Sequence, residues 1–309
     1  MASTKAIKSR IKSVRNTSQI TKAMEVVSAT KMRKAQDFAI RARPYAVASL
    51  EILKNLISRT QTLPALLQSR TIQTSCLLIV TADKGLAGAF NSNVLKRAEA
   101  WILEKEARGR AYTLITVGKK AREYCERRNR TIQARFLNFG DYAHLDETLP
   151  VAETIVQGFV LGAWDEADAV YTHFRTTLKQ ETVLKKILPV TEEGIKDIVE
   201  AIVPEYGKFS EIENRDRAAL RYSYEYIFEP SPEAILNDLV PQILRMQIHH
   251  IILESNASEH SARMVAMKSA SDNARDLIGE LSLEYNKSRQ ASITRELTEI
   301  TAGREALEG

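Results

Sequence analysis

Glycine is nearly absent from both ends of this chain. No glycine precedes Gly85, and only Gly279, Gly303 and Gly309 follow Gly207. Aromatic residues are also rare in residues 1–60 and 233–309, so they concentrate in the middle of the chain. Because glycine favours turns and aromatic side chains fill cores, this distribution predicts two long helices that flank a central α/β domain.

Cysteine and long apolar runs are scarce as well. Cys76 and Cys125 are the only two cysteines, and without C-x-x-C spacing they exclude a disulfide framework and favour a reduced, intracellular setting. No run reaches the roughly 18 apolar residues of a membrane-spanning helix, and no apolar segment follows the charged residues 1–10 as it would in a signal peptide. We therefore expect membrane association only through a partner.

Positive charge is concentrated at the start of the chain. Residues 1–60 hold thirteen Lys or Arg against three Asp or Glu, a net charge of +10, which leaves −5 for the remainder of a chain whose total is +5. Such a basic segment is typical of a solvated helix face, but also of a surface that binds nucleic acid, acidic lipid or an acidic protein.

The last quarter of the chain has the clearest periodicity. Ser231-Pro232-Glu233 predicts a helix start with an N-cap hydroxyl, a proline at the first position and an acid in the first turn. The helix would be on the order of 100 Å long, with Pro241 as a possible kink and Gly279 as an interruption. Its seam repeats at spacings of three and four, as in helices that lie along one another: Leu239, Ile243, Met246, His250, Leu253, Ala257, His260, Met264, Met267, Ser271, Ala274, Ile278, Leu281, Tyr285, Ser288 and Ser292.

Residues 4–58 are predicted to form a second long helix, kinked or divided at Pro44. Small residues at Ser18, Thr21, Ser28 and Ala29 would permit close approach of a neighbouring helix. We expect the two end helices to form an antiparallel coiled coil. The predicted apolar stripe runs through Ile7, Ile11, Val14, Ile20, Met24, Val27, Ala35, Phe38 and Ala42.

The middle of the chain alternates predicted strands and helices, which indicates a mostly parallel, Rossmann-like sheet. The fold class is therefore α/β, with domains at 1–60, 61–230 and 231–309. The predicted strands are 75–82, 111–117, 132–137, 167–175 and 221–228, with 181–188 following the fourth; the predicted helices are 92–107 with Asn91 or Ser92 as its cap, 119–128, 149–163 and 195–201.

Two patterns could carry chemistry. Asp83-Lys84-Gly85-x-x-Gly88 follows a strand and precedes a helix, where phosphate-binding loops occur. It lacks the first glycine of G-x-G-x-x-G and the Lys-Ser/Thr of a P-loop, so a tight turn is the alternative. His249, His250 and His260 share one helix, but no nearby carboxylate completes a metal set, which favours histidines within the helix seam. We assign no catalytic, cofactor-binding or metal-binding residue.

Four separated motifs stand out: Ile20–Lys34 with Arg43-Pro44-Tyr45, Thr81–Gly88, Tyr226–Pro232, and Ala262–Asn273 with Tyr285–Ile300. Together they resemble the γ subunit of F-type ATP synthases. The first resembles that family's first helix, the second and third resemble its middle domain and the exit from it, and the fourth resembles its last helix. The motifs occur in the family's order and together cover essentially the whole chain.

The resemblance implies a rotor shaft that couples ion-driven rotation of the c-ring to conformational change at catalytic β subunits. Its partners would be the ring of three α and three β subunits, the ε subunit and the c-ring. Arg289 and Gln290 would contact a loop of β, Met24 would lie near acidic β residues, and Tyr226 and Glu229 would lie by the c-ring and ε. The subunit would be a non-catalytic peripheral membrane protein on the cytoplasmic face of a bacterial inner membrane, or on a thylakoid membrane in a cyanobacterium.

Two departures and two alternatives accompany this interpretation. Gly303 is followed by Arg304 where the family usually has Gly-Ala, and residues 191–217 are longer than in many bacterial members but contain no cysteine, so the thiol regulation of chloroplast members is not expected. A basic coiled-coil adaptor for nucleic acid is the first alternative, although its first helix lacks interleaved aromatics. A phosphate-binding enzyme that uses Gly85 and Gly88 is the second.

Overall fold

The computed structural model describes residues 4–41, 48–49, 52–53, 55–57, 59–60, 63–139, 143–191 and 228–308. Pro44 and the predicted elements at 195–201 and 221–227 lie outside the described residues. The elements in chain order are α1 (Thr4–Arg41), a short 3-10 helix (Ala65–Leu67), β1 (Thr74–Val80), α2 (Phe90–Ala107), β2 (Ala111–Val117), α3 (Lys119–Arg127), β3 (Ile132–Phe136), α4 (Leu145–Val160), β4 (Glu166–Phe174), β5 (Gln180–Leu188) and α5 (Pro232–Glu308).

Helix α5 begins where the sequence predicts. Pro232 is its first residue, and the Ser231 hydroxyl accepts the Ala234 N–H at 3.2 Å. This bond satisfies one of the orphan donors at the helix start. Pro241 and Gly279 both lie inside the helix rather than at an end.

The five strands form one sheet in the order β3-β2-β1-β4-β5. β1 pairs in parallel with β2 and β4, and β2 pairs in parallel with β3, whereas β5 is antiparallel to β4. The prediction of a mostly parallel sheet is confirmed. β1 is apolar along almost its whole length because both faces of a parallel sheet are covered by helices.

Alternate residues of β1 enter two different cores. Leu77 and Ile79 pack with α2, α3 and Val170 on one face of the sheet. Leu78 and Val80 pack on the other face with α4, with Leu53 and Leu56, and with the first half of α5. This period-two alternation places the sheet between two layers of helix.

Two helix starts differ from the prediction. α4 begins at Leu145, not near residue 149, because the Glu147 carboxylate accepts the His144 N–H at 3.0 Å and starts the helix before Pro150. α2 begins at Phe90. The predicted cap Asn91 instead accepts the Ala82 N–H at 3.0 Å, so its side chain is engaged in holding the preceding turn.

The chain divides into two compact units. Unit 1 contains residues 1–28 and 264–309, and unit 2 contains residues 29–263. Both α1 and α5 contribute residues to each unit. The predicted domain limits at residues 60 and 230 divide the chain differently, because they separate the two end helices from the inserted sheet domain. These limits stay a prediction.

Candidate partner-contact sites and the sheet crevice

The helices of unit 1 bury a seam of small side chains. Ser18, Thr21 and Ser28 on α1 are half-buried or buried, as are Ser271 and Ala274 on α5. The Ser271 hydroxyl donates to the Ser18 carbonyl at 3.5 Å, which brings the two helices together at this point. Small side chains at a helix contact permit a short interaxial distance.

The apolar stripe predicted for α1 is wrong at three positions. Ile20 is 60% exposed, Val27 is 51% exposed and Phe38 is 37% exposed. The seam follows the spacing of three and four through Ser18, Thr21 and Ser28 instead, so Ile20 and Val27 lie beside it. Burying these hydroxyls needs no partner on α5, because each can donate to a carbonyl of its own helix, as Thr21 does to Thr17 at 3.1 Å and Ser28 does to Met24 at 2.7 Å.

The residues expected to contact partners lie at different depths. Met24 is half-buried in unit 1, whereas Arg289 and Gln290 are exposed. Every residue of α5 from 289 to 304 is exposed. Glu229 is exposed in unit 2, and Tyr226 lies outside the described residues. Three of these residues, Met24, Arg289 and Gln290, therefore belong to unit 1, and Glu229 belongs to unit 2.

The strand order of unit 2 reverses between β1 and β4, and we call the region at the carboxyl ends of these two strands the sheet crevice. β2 and β4 flank β1 on opposite sides, so the chain leaves β1 and β4 in different directions at their carboxyl ends. Open α/β sheets bind small ligands at this topological switch point. At the end of β1 the chain continues into the Asp83–Gly88 turn. At the end of β4 lie Thr172 and His173, which still belong to the strand, and then the hairpin that leads to β5.

Side chains of α5 contact this crevice in place of a ligand. The Ser258 hydroxyl donates to the Thr172 carbonyl at 3.1 Å. The Ser261 hydroxyl donates to the Thr177 carbonyl at 2.7 Å. The other contacts are His173 Nδ1 with Glu254 Oε1 at 2.9 Å, and Arg263 Nη2 and Nε with the Gly85 carbonyl at 3.2 and 3.4 Å. We call Glu254, Ser258, Ser261 and Arg263 the polar ladder.

All four members of the polar ladder are buried. Glu254 is the most demanding, because a buried carboxylate needs compensating charge. Burial disfavours the ionised form of Glu254 and so tends to raise its pKa. Two neighbours oppose this effect: His250, whose Nε2 lies 3.3 Å from Oε1, and His173, which is hydrogen-bonded to the carboxylate. Together they outweigh burial and lower the pKa of Glu254 to about 2. The carboxylate is therefore ionised at neutral pH.

The turn after β1 is organised by its own side chains. Asp83 accepts the N–H of Lys119, the first residue of α3, at 2.8 Å and the N–H of Asn138 at 3.0 Å. Thr81 Oγ1 accepts the Ala121 N–H at 2.8 Å. A phosphate bound by this turn would use donors at the start of α2, where the Phe90 N–H is bonded to the Ala87 carbonyl at 3.2 Å. This geometry favours the tight turn over the phosphate loop.

The residues that the structure describes contain neither a cluster of metal ligands nor a membrane-spanning helix. No three His, Cys, Asp or Glu side chains there are grouped so that they could hold a metal ion. His250 and His260 are buried, and His249 Nδ1 lies 3.0 Å from the Thr148 hydroxyl. In the same part of the chain, no helix is both long and apolar enough to span a bilayer.

Sequence reasoning missed the polar ladder. Glu254, Ser258 and Ser261 follow each other at spacings of four and three, the same period as the apolar seam one residue earlier at Leu253, Ala257 and His260. A second seam of polar residues beside an apolar one was therefore visible in the sequence. Its partners were not, because three of the four contacts go to backbone carbonyls of β4, a hairpin and a turn.

Comparison with known proteins identifies the family. The family model described as ATP synthase matches residues 3–307. The chain is 41% identical to the ATP synthase gamma chain of Geobacter metallireducens over all of both chains. It is 40% identical to the gamma chain of Gloeothece citriformis over 99% of this chain and 100% of that one. The chain belongs to the ATP synthase gamma-chain family.

Solved structures share the fold at lower identity. A chain in the Euglena gracilis mitochondrial ATP synthase assembly of OSCP, F1 and c-ring aligns with a TM-score of 0.63 and 21% identity, over 98% of this chain and 94% of that one. A chain of the Tetrahymena thermophila mitochondrial central stalk and c-ring aligns with a TM-score of 0.57 and 22% identity, over 82% of this chain and 99% of that one. These likenesses support the combination of long end helices with a central sheet.

Proposed function

We propose that this chain is the central rotor shaft of an F-type ATP synthase. Ion flow turns the c-ring, and the chain carries that rotation to a ring of three α and three β subunits. The catalytic residues lie on β, so this subunit is not itself an enzyme. Rotation changes the β conformations because each orientation of the shaft makes different contacts with the three β subunits.

The observation that carries the proposal is the exposed end of α5. Residues 289–304 are helical and exposed on every side. Most helical stability in proteins comes from packing of one face, so a helix end without such packing calls for an external partner. The cavity of a ring of α and β subunits supplies that partner.

The contact residues follow from the same proposal. Arg289 and Gln290 engage a loop of β, where the planar guanidinium fork suits a carboxylate. Met24 lies near acidic β residues, and Tyr226 and Glu229 lie by the c-ring and the ε subunit. The sheet domain is inserted between the helices at about residues 61–230. Membrane association is through the complex, on the cytoplasmic face of a bacterial inner membrane or, in a cyanobacterium, on the thylakoid.

Substitution of the exposed pair tests this assignment. Arg289→Ala with Gln290→Ala should leave the free energy of unfolding of the isolated subunit within about 0.5 kcal/mol, since both side chains are exposed. ATP hydrolysis and synthesis should nevertheless fall after reconstitution with α, β and ε. Assembly is measured separately, by gel filtration and subunit stoichiometry.

Arg275→Ala is the matched control, because Arg275 is an exposed arginine of the same helix that lies outside residues 289–304. The control should retain turnover. Unchanged turnover of the Arg289/Gln290 variant in fully assembled complexes would reject the role of that pair. Failure of the unsubstituted chain to co-assemble with α and β would reject the function itself.

A further inference from the structure

We propose that the polar ladder is the torque-bearing coupling between α5 and the sheet of unit 2. The inference rests on the proposed rotor function and adds to it the residues through which the load passes. Glu254, Ser258, Ser261 and Arg263 occupy the crevice in which related sheets bind ligands. In this chain the crevice binds side chains of α5.

The apolar contacts of α5 share this role with the ladder. On the N-terminal side of the ladder, residues such as Ile248 and Ile252 pack α5 into the core of unit 2. Rotation of α5 about its axis would expose this buried apolar stripe, but the resistance is spread over many individually weak contacts. Hydrogen bonds weaken steeply when their angle changes, so they resist a twist directly.

The ladder distributes its bonds over three separate parts of the sheet. Ser258 bonds to β4, Ser261 to the β4–β5 hairpin and Arg263 to the turn after β1. A twist of α5 would strain all three contacts at once. Two further groups hold the ladder in place: Glu259 Oε1 accepts from Arg263 Nη2 at 2.6 Å, and Gln180 Nε2 donates to the Ser261 hydroxyl at 3.2 Å.

The position along the helix is the third argument. Arg263 is the last residue of α5 that belongs to unit 2, and Met264 is the first of the closing segment of unit 1. Any load that the helix carries out of unit 2 must pass this point. The ladder occupies the last ten residues of α5 in unit 2, Glu254–Arg263. Hydrogen bonds at that place hold the helix to the sheet close to the point where it leaves unit 2, so less of the helix can twist independently of the sheet.

Ser258→Ala combined with Ser261→Ala tests the coupling in the reconstituted, membrane-embedded complex. ATP-driven proton pumping into sealed vesicles is measured together with ATP hydrolysis, at increasing opposing proton gradients. We expect pumping per ATP hydrolysed to fall, and to fall further as the gradient grows, because the torque on the helix rises with the load. Loss of stability alone would not depend on the gradient.

Ile248→Val with Ile252→Val is the matched control, since both residues are fully buried on the same helix and lose only apolar contacts. It should keep the normal ratio at every gradient. Equal ratios in ladder variant and control would overturn the coupling role. The single variants Ser258→Ala and Ser261→Ala replace the double one if it does not assemble, with the same criterion. Absence of pumping with the unsubstituted chain would instead contradict the rotor function.

Discussion

The two units of this chain differ in how fully they bury their large apolar side chains. Unit 2 buries leucine and isoleucine on both faces of its sheet. Unit 1 buries a few large side chains, such as Met267 and Leu281, together with small ones such as Ser271, and leaves others, such as Ile20 and Leu283, exposed. Unit 2 is therefore organised for its own stability. Unit 1 retains apolar surface that a partner ring can cover.

Hydrogen exchange should give the largest contrast between the units. Amides of β1 and β4, near Ile79 and Val170, should exchange only on global unfolding, which costs about 5–15 kcal/mol in typical domains. Amides of residues 289–304 should open at a small fraction of that free energy. Equal protection in the isolated subunit would contradict the contrast, and added α and β subunits should slow exchange only in unit 1.

A matched pair of leucine substitutions tests the same difference through side chains. Leu77→Ala in β1 removes a fully buried side chain and should lower the free energy of unfolding by about 2–5 kcal/mol. Leu283→Ala in unit 1 removes one that is 66% exposed and should change it by no more than about 0.5 kcal/mol. Urea unfolding of both variants measures the two values. Similar losses would mean that unit 1 depends on Leu283 for its own core.

Unit 2 also contains a buried ion pair that the helices of unit 1 lack among their described residues. Glu166 accepts from Lys105 and from the Ser75 hydroxyl at 2.7 Å, and Lys186 lies 3.2 Å away. Burial opposes ionisation, but these partners outweigh it and lower the pKa of Glu166 from 4.5 to about 2. The resulting stabilisation is present above about pH 4.5 and is lost as the pH falls towards 2; the shift corresponds to about 3 kcal/mol.

Glu166→Gln should therefore destabilise unit 2 by about 3 kcal/mol at neutral pH, since it leaves the Lys105 cation buried without its counter-ion. The variant should also lose stability less steeply than the unsubstituted chain between pH 4.5 and 2. Glu104→Gln is the control, because Glu104 pairs with Arg108 at the surface and contributes no more than about 1 kcal/mol. A steep acid loss in the Glu166 variant would assign that loss to other carboxyls.

The seam of unit 1 should show the smallest of these effects. Ser271→Leu places a large side chain at a buried position of the seam beside Ser18, which should cost about 1–3 kcal/mol. Ser269→Leu, on the same helix but exposed, is the control and should be near neutral. Helical circular dichroism during urea unfolding measures both. A stabilised Ser271→Leu variant would show that the seam has room for a larger contact.

Much of the fold could be predicted, and the errors have a common origin. The strand at 111–117 and the start of α5 agree with the structure because each depends on local pattern and capping. The sequence pattern predicts Ile20 in the buried stripe because it is apolar, and Asn91 or Ser92 as a cap because they precede a helix. Ile20 is exposed because the face of α1 that contacts α5 is the one with Ser18 and Thr21. Asn91 does not cap α2 because its side chain accepts the Ala82 N–H of the preceding turn.

The amino-acid sequence alone is enough to predict the periodicities, 3.5 residues in the end helices and two in the strands, and the family, from motifs in order. Which face of α1 is buried, and what occupies the sheet crevice, follow only from the tertiary contacts. Those choices depend on hydrogen bonds to backbone carbonyls, such as that of Ser258 to Thr172 and that of Arg263 to Gly85. Every residue carries a carbonyl, so no side-chain pattern reveals which one a distant hydroxyl or guanidinium will find.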